Sequence, residues 1–305
     1  MENTSQLRAV SRRRFAATLA TAVCLAPVIL GGAGCSDKTP PPSQPGGIYT
    51  FKLGDATLSV LPDRQQRITN KLLIGATPAI LEKYAPDGSV PNAINAFLIQ
   101  SGGKNTLVDT GLGTKVFDNL KTLGLAPEDI TNVFITHMHG DHIGGLLRDG
   151  KAAFPNATLH IAHPEIVYWL AKEGSPAKEI SAAYKGQTVL FNPVAPEAAG
   201  RSLPGVTAIA AFGHTPGHTV FRIESAGKRL LIWGDLTHAT AVQLPHPEVA
   251  VTYDVDPARA VVSRKQIFEY AAKNKIAIAG MHIAWPGTGT IAAAPQGGFA
   301  FTPAT

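Results

Sequence analysis

The sequence predicts an α/β (α+β) chain in which two β-sheets pack face to face with helices on their outer sides. Three observations carry that reading. Short β-rich runs alternate with helical stretches from Ile48 onward, the plan of strands followed by helices comes twice, and Gly-rich turn signals separate the runs. With 305 residues, 45% of them hydrophobic and 16% charged, the chain is long enough to bury such a core.

In chain order, Tyr49–Leu53 and Ala56–Leu61 read as paired strands. Ala93–Gln100 and Thr106–Val108 form a second pair, broken by Gly102-Gly103. Lys115–Leu123 has helical spacing, with Val116, Leu120 and Leu123 on one face and Gly124 as the stop. Val133–Thr136 is a short apolar strand. The second half offers the strand Leu159–Ala162, a helix over Pro164–Lys172 opened by proline, and the strand Val206–Ala211. Val220–Glu224 and Arg229–Trp233 bracket the hairpin signal Ala226-Gly227. Pro257–Lys273 is the longest helix, and Ile276–Ala279 is the last clear strand.

Residues 1–35 read as an export signal: Arg12, Arg13 and Arg14 precede an apolar run from Phe15 to Leu30 and the small residues Gly31 to Gly34. The run is short of the ~20 residues that span a bilayer, although an N-terminal anchor stays open. Ser11-Arg12-Arg13-Arg14-Phe15 resembles the twin-arginine signal, which implies a folded, exported, periplasmic protein. Both cysteines, Cys24 and Cys35, fall in this segment, so the rest of the chain offers no disulfide and no thiolate ligand. Cys35 follows Gly32-Ala33-Gly34, part of a lipoprotein cleavage pattern without its usual leucine, and a lipid anchor at Cys35 stays open. Membrane contact is expected only through this segment. Residues 36–47 are a Pro/Gly-rich tether, and 48–305 form the domain.

The formal charge of +5 loses its meaning once it is located. Residues 1–35 carry four arginines against one glutamate, which leaves +2 for the remainder. A near-neutral surface gives no support to a nucleic-acid partner.

The chemistry concentrates in Thr136-His137-Met138-His139-Gly140-Asp141-His142, directly behind a buried strand. Imidazole nitrogens and carboxylate oxygens are the donors that suit zinc and similar divalent ions. In an extended segment alternate residues share a face, so His137 and His139 can reach one ion. A turn through Gly140 can then aim Asp141 and His142 at a second. Three more ligand types sit at strand ends: His214 in Gly213-His214-Thr215-Pro216-Gly217-His218, Asp235 after Gly234, and His282 after Ile276–Ala279. Any one alone would be an ordinary turn or capping residue; four such ends together point to a loop-built metal site.

This set resembles the metallo-β-lactamase superfamily, in the branch with two metals held by five histidines and two aspartates. The resemblance covers roughly residues 48–302. It implies a four-layer αββα sandwich with the metals at one edge. It further implies that His137, His139 and His214 hold one ion, that Asp141, His142 and His282 hold the other, and that Asp235 bridges both. His218 would stand outside the ligand set. Two divalent ions are implied, zinc foremost, with manganese, iron or cobalt accepted by the same donors. A water shared by such a pair ionises readily, zinc lowering its pKa to about 7, and the hydroxide attacks a carbonyl or phosphoryl centre.

Gly234-Asp235-Leu236, Ala241-Val242-Gln243, His246-Pro247-Glu248-Val249 and Trp285-Pro286-Gly287-Thr288-Gly289 are similar to the methyl parathion hydrolase and lactonase group. One departure bears on substrate. Three residues past the bridging aspartate, organophosphate-degrading members carry leucine and homoserine-lactone hydrolases a tyrosine; here it is His238, with Tyr253 where that pocket is again aliphatic. A polar donor there favours a lactone or aryl ester, with phosphotriesters secondary. Catalytic roles therefore fall on Asp141, Asp235 and His238, and the expected pocket comprises Trp169, His238 and Tyr253, with Phe117 better read as core. A methyl parathion-type hydrolase and a glyoxalase II-type thioesterase stay open, as does a homodimer. A β-lactamase is disfavoured because its common dinuclear forms use a cysteine ligand. A periplasmic binding protein on the same fold would have lost ligands, and all seven are kept.

Overall fold

The computed structural model describes residues 46–198, 203 and 205–305. The export signal, Cys24, Cys35 and the tether up to Pro45 lie outside the described residues. Among the described residues, no helix is long and apolar enough to cross a membrane.

The first half contributes β1 (Tyr49–Leu53), β2 (Ala56–Thr69), the short β3 (Leu73–Ile74), α1 (Pro78–Tyr84), β4 (Ser89–Ser101) and β5 (Lys104–Val108). Next come α2 (Val116–Thr122), β6 (Ile130–Phe134), α3 (Gly140–Ile143) and the small pair β7 (Leu147–Arg148) and β8 (Lys151–Ala152). Then follow β9 (Thr158–Ala162), α4 (His163–Ala171), α5 (Ala177–Ala183) and β10 (Thr188–Phe191). The second half contributes β11 (Val206–Ala210), β12 (Thr219–Ser225), β13 (Lys228–Ile232), α6 (Thr240–Gln243) and β14 (Ala250–Val251). It ends with α7 (Pro257–Lys273), β15 (Ala277–Ala279), β16 (Thr288–Ala293) and β17 (Phe299–Pro303).

These make a seven-stranded sheet in the order β1-β2-β4-β5-β6-β9-β10 and a six-stranded sheet in the order β11-β12-β13-β15-β16-β17. Alternation along the strands decides the layers, because successive side chains point to opposite faces. Phe97, Val108, Phe134 and Ala162 of the first sheet meet Phe221, Leu230, Ile232 and Ala279 of the second in one buried cluster. Their neighbours Leu98, Leu107, Val133 and Ile161 turn outward onto Val116, Leu120, Ile166 and Ile180, residues of α2, α4 and α5. Leu231 and Ile278 likewise pack on Ile267, Phe268 and Ala271 of α7. The four-layer αββα arrangement implied by the resemblance is present.

The longest helix has the bounds its sequence gives. Pro257 occupies the first helical position, the Asp256 side chain accepts from Arg259 N at 3.0 Å, and Lys273 lies in the last turn. Two expectations need correction, and one strand goes unread in the sequence. β2 runs on past Leu61 through the polar stretch Asp63–Arg67, with a bulge between Pro62 and Arg64, and its pairing with β4 holds that stretch extended. β15 is not the last strand, because β16 and β17 close the second sheet by antiparallel pairing. The short β10 extends the first sheet parallel to β9.

Phe134 stands at the centre of the inter-sheet core, fully buried, with its ring 5.3 Å from Phe221 and 4.5 Å from His160. Phe134→Ala is expected to cost about 3–5 kcal/mol of stability in urea denaturation, as large-to-small changes in packed cores do. A loss below about 1 kcal/mol would mean the two sheets do not share this core.

Candidate metal centre

Four strands deliver the ligand types at their carboxyl ends. β6 runs into His137, β11 into His214, β13 into Asp235 and β15 into His282. The glycines between strand and ligand have a steric reason. Gly234 adopts φ +60°, and a Cβ there would lie 2.4 Å from His218 Nε2.

The structure brings all seven expected ligands together in two groups, and His238 forms a third with Asp235 and His282. In the first, His137 Nε2, His139 Nδ1 and His214 Nε2 form a triangle with sides of 2.9, 3.0 and 3.2 Å. Asp235 Oδ2 lies 3.5 Å from His137 Nε2 and 3.3 Å from His214 Nε2. The second comprises Asp141, His142 and His282. Asp235 faces this group too, with Oδ1 3.2 Å from His142 Nε2 and Oδ2 3.1 Å from His282 Nε2. It stands between the groups, as a shared ligand must.

Whether cations fit is decided by counting hydrogens. His142 Nδ1 donates to Asp109 Oδ2 at 2.6 Å, His214 Nδ1 to Asp254 Oδ1 at 2.8 Å, and His282 Nδ1 to the Ala93 carbonyl at 2.7 Å. A neutral imidazole carries one N–H, so as neutral rings all three would turn Nε2 lone pairs toward the carboxylate oxygens of Asp235, and a positive charge, a proton or a metal ion, has to stand between them. His142 Nε2 and Asp235 Oδ1 are both buried with no hydrogen-bond partner. A divalent cation satisfies such a set, and bonds of 2.0–2.1 Å in a tetrahedron would space donors about 3.3–3.4 Å apart, close to the distances seen.

Burial opposes protonation of His142 and His282, yet the carboxylates around them, Asp235 foremost, raise both above the ordinary value, so in the bare chain protons supply part of that positive charge. Burial opposes ionisation of Asp235, but His142, His282, His137 and His238 around it hold its carboxyl well below the ordinary value. Burial likewise opposes the proton on His214, yet hydrogen bonds to Asp235 and Asp254 raise it to about 9. His139, buried beside His214, is pushed down to about 3. The carboxylates call for positive charge that only some of the histidines can supply.

His218 lies outside these groups. Its Nδ1 donates to the Ala211 carbonyl at 3.0 Å and its Nε2 accepts from Asp235 N at 2.9 Å, so it fixes the backbone of the shared aspartate. His238 enters the cavity beside Asp235, with Nε2 3.0 Å from Asp235 Oδ2 and its ring stacked on His282 at 4.6 Å. Burial lowers its pKa to about 4, so it is neutral near pH 7. Unlike His142, His214 and His282, its Nδ1 is buried without a partner.

The cavity around these groups holds about 330 Å³ and is lined by Tyr253 at the mouth (47% exposed), Gln66, Ile68, Asn92, His238 and four of the ligands, His139, Asp141, Asp235 and His282. Trp169 is not among the lining residues. It is buried behind His139, edge-on at 5.3 Å, and donates to Glu165 at 2.6 Å, which corrects its placement in the pocket. Phe117 stacks on Phe154 at 5.8 Å in the core.

Sequence reasoning missed several supporting groups. Asp109, at φ 56°, accepts from Thr136 N, Thr136 Oγ1 and His142 Nδ1. It ends a buried strand just as the ligands do, and that signal could have found it. Asp254 orients His214. Asn92 donates to the His238 carbonyl at 2.8 Å, which turns its oxygen toward Gln66 Nε2 at 2.9 Å. Asn95 pins the His282 loop through the carbonyls of Gly280 and Ile283.

The metallo-beta-lactamase superfamily model matches residues 90–274. The chain belongs to the metallo-beta-lactamase superfamily. Among solved structures it is similar to hydrolase AbOPH of the beta lactamase superfamily, 30% identical, with a TM-score of 0.76 over 86% of this chain and 99% of that one. It is also similar to AidC, a dizinc quorum-quenching lactonase in complex with a homoserine product, 27% identical, with a TM-score of 0.73 over 85% of this chain and 98% of that one. An atrochrysone carboxyl ACP thioesterase of Passalora fulva is 29% identical over 61% of this chain, and the chain spans about half the length of that relative (49%). The superfamily's usual pair of divalent metals finds donor groups here.

Asp109→Asn replaces an acceptor by a donor and unsettles the tautomer of His142. Metal affinity at the Asp141/His142/His282 group is expected to fall about 10–100-fold in chelator competition, with the other group within about threefold. Equal loss at both groups would contradict the assignment.

Proposed function

We propose that this metallo-beta-lactamase superfamily chain is a two-metal hydrolase of lactones and aryl esters, with phosphotriesters as secondary substrates. The observation that carries the reading is Asp235, shared by two donor groups and flanked by the polar His238 in a compact cavity. Divalent ions in the two groups, zinc foremost and manganese, iron or cobalt also suited, would polarise the substrate oxygen and acidify a water.

The chain's own residues do the rest. Asp141 and Asp235 place two negative charges against the cationic pair and moderate its hold on anions. His238 offers an N–H beside Asp235, within the cavity, to the oxygen on which charge develops. A preorganised donor of this kind is worth about 10²–10³ in kcat where it has been measured. Tyr253 and Gln66 form the cavity's outer wall, and about 330 Å³ is near the lower end of the ~300–1,000 Å³ typical of ligand pockets. The dizinc lactonase neighbour supports the same reading, and the thioesterase relative favours a thioester as the second one. The basic cluster and apolar run within residues 1–35 support export to the periplasm; cell fractionation that finds the chain in the cytoplasm would overturn that.

A panel on metal-loaded protein tests the substrate class: dihydrocoumarin, homoserine lactones, p-nitrophenyl esters, a paraoxon-type triester and a glutathione thioester. Lactones and aryl esters should show the highest kcat/KM, and a triester or thioester ahead of them by tenfold or more would reverse the assignment. His238→Leu should lower lactone kcat by about 10²-fold. Unchanged turnover would remove His238 from the reaction.

A further inference from the structure

Glu165 is fully buried in the first turn of α4, yet no ligand or pocket role falls to it. Its carboxylate accepts four hydrogen bonds. Oε1 takes Met138 N at 2.9 Å and Trp169 Nε1 at 2.6 Å; Oε2 takes Thr215 Oγ1 at 2.7 Å and Gly217 N at 2.8 Å. Met138 sits between His137 and His139, and Thr215 follows His214. One carboxylate thus ties together the two loops that supply the three nitrogens of the first donor group. The approach is tight: a Cβ on Gly217 would lie 2.3 Å from Glu165 N. Trp169 adds a second hold, since its indole donates to Oε1 while its edge meets the His139 ring.

We propose that Glu165 is the positioning residue of the His137/His139/His214 group, setting the spacing between its two loops through an all-acceptor carboxylate. Its effect on metal rests on the two-metal reading above, whereas its effect on the loops does not. A leucine-like plug in this place would leave four donors unmatched. A buried donor without a partner is costly, so the loops would part to find water.

Glutamine separates acceptor chemistry from shape. With its NH₂ on the Oε1 side it would oppose two donors that cannot turn round, Met138 N–H and the Trp169 indole. On the Oε2 side it would oppose only Gly217 N–H, because the Thr215 hydroxyl can rotate and accept. The second orientation is favoured, and Glu165→Gln should loosen the His214 loop while sparing the His137–His139 loop.

The test is amide hydrogen exchange on the metal-free chain, followed by metal titration. In Glu165→Gln, exchange at Gly217 should accelerate about tenfold or more while Met138 stays within about threefold. On titration, the metal equivalent that is lost in His214→Ala should weaken about 10–100-fold, and the one lost in His282→Ala should change little. Unchanged exchange at Gly217, faster exchange across the whole chain, or equal weakening of both equivalents would overturn the proposal. If glutamine prevents folding, Thr215→Val removes one bond of the four and should give the same asymmetry on a smaller scale. A wild-type chain that bound no metal would sink the two-metal reading, and the exchange experiment would still decide on Glu165.

Discussion

Asp235 presents both carboxylate oxygens to the Nε2 atoms of three histidines, and a positive charge has to stand between them. As neutral rings, His142, His214 and His282 each commit their single N–H to a partner on the far side of the ring, namely Asp109, Asp254 and the Ala93 carbonyl. What remains at the centre is a closed set of acceptors, largely buried, with distances near 3 Å. Burying like partial charges in this way is unfavourable unless a cation stands among them. The surrounding structure exists to hold that arrangement.

The fold supplies the hold by geometry. Parallel neighbours in both sheets send their carboxyl ends to the same edge, so ligands far apart in sequence arrive side by side. The sheets are braced from within by Phe97, Phe134, Phe221 and Leu230, and from outside by α2, α4, α5 and α7. Short loops then carry the ligands only a few residues beyond rigid strands. His218 under Asp235, Asn95 under the His282 loop and Glu165 between two other loops leave little slack. His238 differs, since its Nδ1 is buried without a partner, so nothing on the far side of its ring fixes its tautomer.

Much of this was legible in the sequence where the signal is local. The segment from His137 to His142 packs four ligands into six residues, and α7 announces both its ends through Asp256, Pro257 and Lys273. His214, Asp235 and His282 were found by one rule, a ligand type at the end of an apolar run. The misses follow from physics that a single chain window does not contain. Thr288–Ala293 and Phe299–Pro303 have weak strand patterns, and it is pairing that makes them strands. The polar end of β2 is extended only because β4 lies beside it, and that end brings Gln66 to the cavity. Asp254 acts on a residue 40 positions away and looks no different from a turn aspartate, whereas Asp109, which acts on one 33 positions away, satisfies the same strand-end rule as the ligands. Trp169 was placed in the pocket on residue type alone, and its indole N–H instead found a buried carboxylate.

The most direct measurement is elemental analysis of the folded protein, purified without chelator and compared with its Asp235→Ala variant. Two divalent ions per wild-type chain, reduced to one or none in the variant, are what the shared carboxylate predicts. A folded wild-type chain that carries no metal even after incubation with zinc or manganese, or a variant that still retains two, would contradict the account.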